Sequence, residues 1–194
     1  MQATIGIIGN GFVGNAVAKG LQDKVTEVRI YDIDKTKSTH GYVETISSDY
    51  VFVCLPTPMI DAEGGSCNLS VIEKFFSELP RTVEGIMVLK STVPIGTTDD
   101  LIEKYPFLKL VHNPEFLTAA NAEQDFIEAD RHVVGGKDKE LVEQVGRFYK
   151  ACFPEIPVYT MKAKESEAVK YFANSFLATK VMIFNEMKVL CDDI

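Results

Sequence analysis

Residues 4–20, TIGIIGNGFVGNAVAKG, decide the fold. Thr4–Ile8 is a short β-branched apolar run and reads as a buried strand. Glycines follow at 9, 11 and 14 in the spacing G-x-G-x-x-G, and Phe12–Leu21 has helical spacing, with Val13, Val17 and Leu21 on one face. The spacing alone recurs by chance. A strand before it and a helix behind it are the context in which it holds a dinucleotide. There Gly9 permits the tight turn, Gly11 lets backbone approach a pyrophosphate, and Gly14 seats the helix close to the strand. The amides of Asn10–Val13 point at phosphate oxygens from a helix N-terminus.

Working outward, a second strand at Glu27–Tyr31 runs into Asp32, about twenty residues on, where an acidic side chain takes the adenosine ribose hydroxyls. A carboxylate there repels a 2′-phosphate, so the cofactor reads as NAD rather than NADP. A structural turn and a solvated aspartate would account for each feature separately. All of them in register favour the dinucleotide.

Strand-like and helix-like segments then alternate. Strands are expected at Val51–Leu55, Ile86–Leu89, Leu108–His112, within RHVVGG (131–136) and at Pro157–Thr160. Helices are expected at Leu69–Leu79, from Pro94 to Tyr105, and at Asp138–Tyr149. Such alternation predicts an α/β fold: a Rossmann-like doubly wound parallel sheet covered on both faces. From Lys162 onward Gly and Pro vanish, and good helix formers dominate. Val169, Phe172, Phe176, Ile183, Met187 and Leu190 share one broad face, which Leu177, Val181 and Phe184 widen. A helix this apolar needs cover from the sheet domain and from a partner or a second domain. The expected division is a sheet domain at 1–160 and a long C-terminal helix at 161–194.

Bulk properties narrow the function. The 194-residue chain has net charge −8 and a pI near 4.9, without a basic run. That argues against nucleic acid or an anionic membrane as partner. No apolar stretch approaches the ~20 residues that span a bilayer, and MQATIGIIG lacks the pattern of a signal peptide. Cys54, Cys67, Cys152 and Cys191 are widely spaced without C-x-x-C. This fits a reduced compartment, no metal site and a cytoplasmic location.

Candidate chemistry sits on two loops that leave strand ends, and on the long helix. KSTVPIGTT (90–98) brings Ser91 and Thr92. HNPEFLTAANAEQDF (112–126) brings Glu115. Lys170 and Asn174 are four apart on the helix, with Glu167 three residues earlier, so they share a face. A lysine and an amide there suit a developing alkoxide. Each also has a bland explanation, as helix cap, turn residue or solvated side chain.

Together the motifs are more specific. GIIGNGFVG, VCLPTP, KSTVPIGTT, HNPEFL, RHVVGG and ESEAVKYFANSFLATKVMIFNEM follow in the order found in the UDP-glucose/GDP-mannose dehydrogenases, and the chain resembles that family over nearly its whole length. The resemblance implies oxidation of the C6 alcohol of a nucleotide sugar to a carboxylate, with two NAD+ and a thiohemiacetal and thioester on a cysteine. UDP-glucose is the family's most frequent substrate. It implies that Thr92 positions a catalytic water, that Glu115 assists proton transfer or thioester hydrolysis, and that Lys170 and Asn174 stabilise the oxyanion. The implied cofactor contacts are Gly9, Gly11, Phe12, Val13, Gly14, Asp32, Lys35, Pro56, Thr57 and Thr92. The long helix would join the two halves of the enzyme and form a homodimer interface.

Two departures stand out. Many relatives carry a second acid where this chain has Ala119. The family's nucleophilic cysteine belongs to a G-G-x-C-F-P-K-D segment beyond the long helix, and the expectation is that it and the sugar-nucleotide domain are absent here. Cys67 in GGSCNLS and Cys152 in KACFPEI look alike locally, but neither is followed by Lys-Asp, and both read as ordinary small residues in or near the core. Two other readings stay open. One is a β-hydroxyacid dehydrogenase, a group that shares the Lys-x-x-x-Asn helix. The other is a non-catalytic NAD-binding or dimerisation module.

Overall fold

The computed structural model describes residues 1–60 and 65–194; Gly64 of the GGSC look-alike lies outside them. Among the described residues seven strands form one sheet: β1 (Thr4–Ile8), β2 (Glu27–Tyr31), β3 (Tyr50–Val53), β4 (Ile86–Leu89), β5 (Leu110–His112), β6 (His132–Gly135) and β7 (Val158–Met161). The helices are α1 (Phe12–Leu21), α2 (Tyr42–Ile46), α3 (Ser70–Glu78), α4 (Thr97–Lys104), α5 (Ala122–Ile127), α6 (Lys139–Cys152) and α7 (Ala163–Asp192). The spatial order β2-β1-β3-β4-β5-β6-β7 is that of a doubly wound, Rossmann-like α/β fold.

Strand alternation builds a core on each face. Ile5, Ile7, Phe52, Val88 and Val111 point to one side and pack with Val17 and Leu21 of α1 and Phe148 and Tyr149 of α6. Ile8, Val51, Val53, Met87 and Leu89 point to the other and meet Ile72 and Phe76 of α3 and Leu101 of α4. Each such side chain, fully buried, contributes roughly 1.5–3 kcal/mol, which explains the near-continuous apolar strands. The winding reverses between β1 and β3, and a crevice opens there beyond the carboxyl ends of the strands.

Three features differ from expectation. The sheet is mostly parallel, but β5 and β6 pair antiparallel through His112 and Gly135. Their connection does not cross the sheet as a packed helix. Instead α5 docks on α1, where a Cβ at Gly20 would strike the Phe126 ring and where Lys19 pairs with Glu123. Second, the short helices α2 and α5 carry too few residues to show a helical period in the sequence. Third, α7 buries only Ala163, Ser166, Glu167 and Lys170. Beyond its first two turns the apolar face lies open, with Phe172 and Phe176 more than two-thirds exposed. Among the described residues no helix is long and apolar enough to cross a membrane.

Candidate dinucleotide and catalytic site

The three glycines differ in what they permit. Gly9 sits at φ +89°, and a Cβ there would come within 2.7 Å of the Cys54 carbonyl oxygen. At Gly14 a Cβ would overlap the Gly9 carbonyl, so α1 lies hard against the turn. At Gly11 a Cβ would meet nothing within 4 Å: it would project into open space. Gly11 is also the N-cap of α1, and no side chain caps that helix. First-turn amides are therefore free for a ligand's oxygens. The Asn10 amide is not one of them, contrary to the sequence expectation. It donates to Asp32 Oδ2 at 2.6 Å, while the Asp34 amide donates to Oδ1 at 2.8 Å. Asp32 thus locks the glycine turn to the end of β2.

A cavity of about 940 Å³ runs along the strand ends. Gly9, Gly11, Phe12, Val13, Asp32, Pro56, Thr57, Thr92 and Glu115 all line it. Gly14 does not; it acts through packing. Lys35 stands in a 3-10 turn outside the lining, where Lys37 takes part instead. Two hydrogen bonds fix the far wall. Thr57 Oγ1 donates to the Thr92 carbonyl at 2.7 Å, and Ser91 Oγ donates to that of Leu55 at 2.6 Å.

At that end Lys170 Nζ pairs with Glu115 Oε1 at 2.9 Å, both side chains nearly buried at 5 % and 11 % exposure. Glu115 Oε2 also accepts the Leu117 amide. Asn174, one turn further along α7, is exposed and stands apart from this pair. Ala119 is exposed on the loop after Glu115. Glu167, which shares the Lys170 stripe, is fully buried and turned to another task. Its carboxylate accepts the Gly96 amide (2.6 Å), the Thr98 amide (2.8 Å) and the Thr98 hydroxyl (2.6 Å). It caps α4 from a different element.

Cys54 and Cys152 are not disposed as nucleophiles. Burial pushes the Cys54 thiol up to about 12 and raises that of Cys152, the last residue of α6, which is buried in the core. Cys67 Sγ donates to the Thr57 carbonyl at 3.7 Å. No cluster of three His, Cys, Asp or Glu side chains fit to hold a metal occurs among the described residues.

A model of the UDP-glucose/GDP-mannose dehydrogenase family, NAD binding domain, matches residues 36–153, and that of the family's central domain matches residues 164–194. The chain belongs to this family. A UDP-glucose 6-dehydrogenase of Rhizobium meliloti is 33% identical over 159 residues, covering 76% of this chain and 36% of that protein. A UDP-N-acetyl-D-mannosamine dehydrogenase of Methanocaldococcus jannaschii is 27% identical over 186 residues, covering 91% of this chain and 43% of that protein. Among solved structures, a UDP-glucose dehydrogenase from Pyrobaculum islandicum superposes with a TM-score of 0.82 at 26% identity, over 96% of this chain and 52% of that one. The chain therefore spans roughly a third to a half of the length of these relatives.

NAD is the cofactor of this dehydrogenase family, and the residues present fit it: an open cradle at Gly11, an uncapped helix start and a carboxylate at the β2 end. Sequence reasoning missed a buried polar network made by Lys90 of the KST stretch, Asn113 of the NPE stretch and Tyr149 of α6. Lys90 Nζ donates to Asn113 Oδ1 at 2.9 Å, and the Tyr149 hydroxyl donates to the same oxygen at 2.5 Å. The one available signal was Lys90 itself, a lysine directly behind the apolar run Ile86–Leu89 at the middle of the sheet.

Proposed function

We propose that the chain is the NAD-binding half of a nucleotide-sugar 6-dehydrogenase that oxidises the C6 alcohol of UDP-glucose to the carboxylate. A sheet domain at 1–160 would carry the cofactor, and the helix at 161–194 would carry Lys170 and join two copies in a homodimer. The observation that carries this reading is a single cavity lined by the dinucleotide cradle together with Thr92 and Glu115, with Lys170 paired to Glu115 behind its wall. Asp32 would hold the adenosine ribose, the first turn of α1 the diphosphate, and Pro56, Thr57 and Thr92 the far end. NAD+ supplies a hydride acceptor when bound. Glu115 and Lys170 hold one proton-bearing pair in a nearly water-free wall, so a substrate oxygen arriving there meets an ammonium already in place. Thr92 offers a hydroxyl for a water, and Asn174 a second donor further along α7.

UDP-glucose is chosen because UDP-glucose dehydrogenases recur among the relatives, although a mannosamine relative is nearly as similar. The test has two parts. Calorimetry of the chain with NAD+ is expected to show binding. Sequencing the gene past codon 194 is expected to reveal Gly-Gly-x-Cys-Phe-Pro-Lys-Asp, and NADH formation by that longer product is expected with UDP-glucose above GDP-mannose and UDP-N-acetylmannosamine. NAD+ binding with a stop codon at that point would leave a cofactor-binding module and end the 6-dehydrogenase reading.

A further inference from the structure

Lys90 directly follows β4, the middle strand of the sheet, and is 2% exposed. Its Nζ donates to Asn113 Oδ1 and, at 3.2 Å, to the Asn113 carbonyl oxygen. An ammonium has three donors, and these two contacts use two of them. Among the described residues no carboxylate stands within ion-pair distance of Nζ, for Glu115 is engaged by Lys170. Lys90 and Glu115 line both the large cavity and a second, polar one of about 380 Å³ on the other side of the wall.

The groups nearest Lys90 are Cys54 after β3, His112 at the end of β5 and Glu115 beyond it, His132 on β6, Tyr149 on α6 and Lys170 on α7, with the Phe126 ring of α5 5.8 Å from Nζ; Asp125, Glu128, Asp130 and Arg131 share the lining of the second cavity, and none of them makes an ion pair with Nζ. Burial holds both imidazoles down to about 3, the Cys54 thiol up to about 12, and the Tyr149 phenol well above its usual range. None of those four carries charge near neutrality, and Glu115 and Lys170 offset each other. Lys90 is left without an ion-pair partner among the described residues. Burial brings its ammonium down to about 8, with Cys54 and Glu115 opposing and Lys170 assisting.

The site is asymmetric toward a dinucleotide. With adenosine at Asp32 and the diphosphate over Gly11, the remaining length of the cavity crosses the ends of β3, β4 and β5, and the nicotinamide end faces Lys90. We propose that Lys90 senses the charge of the nicotinamide and sets the preference between its two redox states, giving up its proton to solvent when the cationic oxidised ring arrives and keeping it beside the neutral reduced ring. This rests on the cofactor placement proposed above. Two like charges in a poorly solvated wall disfavour each other, and the lysine is the one able to discharge. Oxidised cofactor prefers the neutral lysine, so its affinity rises with pH through the lysine's titration, while that of reduced cofactor stays level.

The test is titration calorimetry of the chain with NAD+ and with NADH, in buffers of different protonation heat at pH 8. Release of about half a proton per NAD+, and none with NADH, is expected. The ratio of NAD+ to NADH affinity is expected to rise about threefold to tenfold from pH 7 to pH 9. Lys90→Arg keeps the charge and Lys90→Met removes it; neither titrates in this range, so both abolish the release and flatten the ratio. Should either variant fold poorly, nuclear magnetic resonance of isotope-labelled lysine in the wild type reads the same event, as a midpoint that moves down with NAD+ and not with NADH. Release that persists in both variants, or a midpoint indifferent to NAD+, overturns the proposal. Absence of heat with either nucleotide instead refutes the cofactor placement beneath it.

Discussion

Glu167→Ala is the sharpest perturbation of this fold, because one side chain serves three donors of another helix. The carboxylate is fully buried and accepts the Gly96 amide, the Thr98 amide and the Thr98 hydroxyl. Gly96, the N-cap of α4, sits at φ +105° and has no side chain of its own to cap the helix. Removing Glu167 leaves three buried donors unpaired at roughly 1–3 kcal/mol each. Against this, the burial cost of a carboxylate disappears and water fills part of the space, so the net loss is about 3 kcal/mol. For a chain of this length that lowers the Tm by ~6–12 °C. The assay is thermal unfolding by circular dichroism at pH 7 without nucleotide, with Lys164→Ala as comparison. Lys164 joins the same two helices through Asp99 at 3.5 Å, but in solvent, with 62% of its side chain exposed. Its loss is expected to cost less than ~0.5 kcal/mol. A Glu167→Ala protein that melts as close to wild type as Lys164→Ala would refute the reasoning, since α4 would then need no acceptor from α7.

Acid is expected to unfold the chain through its two buried histidines. His112 and His132 have folded values near 3 against ~6.5 unfolded, so the unfolded chain binds protons that the folded one refuses, and stability falls as pH drops below ~6.5. Urea titrations at pH 7, 6 and 5 are expected to give up to ~1.4 kcal/mol per pH unit per histidine, and His132→Phe, which keeps the stack on Tyr149, to remove one share. An unchanged slope in that variant would mean its ring is not held neutral. Gly11→Ala is expected to leave the Tm unchanged yet weaken NAD+ at least ~10-fold, because its methyl enters only the cradle. Gly14→Ala is expected to lose stability as well, and a Gly11→Ala protein with wild-type affinity would move the diphosphate elsewhere. Glu115→Leu and Lys170→Met each break a buried pair and are expected to cost ~3 kcal/mol in urea, whereas the two together cost much less than their sum. Additive losses would show that the pair is not coupled.

The sheet and its cofactor crevice were legible because both rest on local signals. Strands β1, β3 and β4 are runs of apolar residues, and the glycine turn lies between a strand and a helix in one contiguous segment. Asp32 was legible for the same reason: it closes the next strand. What escaped was set by contacts distant in sequence. Nothing near Glu167 says that it will find the α4 N-terminus 69 residues away rather than join Lys170 in the site. The reversal at β6 was hidden as well, since a four-residue strand carries the same pattern in either direction. Lys90 was hidden by its type, because a lysine behind a strand usually reaches water, and only the packing of β3, β5 and α6 around this one keeps it dry.

The way α7 is anchored ties its orientation to the site. Its buried positions, Ala163, Ser166, Glu167 and Lys170, fall at i, i+3, i+4 and i+7 and so form a single stripe. Three of the four are polar, and each engages a different element. Ser166 meets His112 Nδ1 at the end of β5, Glu167 caps α4, and Lys170 holds Glu115 on the loop beyond β5. Apolar contacts would allow the helix to slide or roll at small cost, since burial has no direction. Hydrogen bonds at 2.6–2.9 Å do not, because they weaken steeply with angle. The helix is therefore aimed by the same row of side chains that sets the Lys170 ammonium against Glu115 in the cavity wall. A change that tilts α7, including one in its exposed outer turns, acts on that ammonium directly, and the Glu115–Lys170 distance is where it would first register.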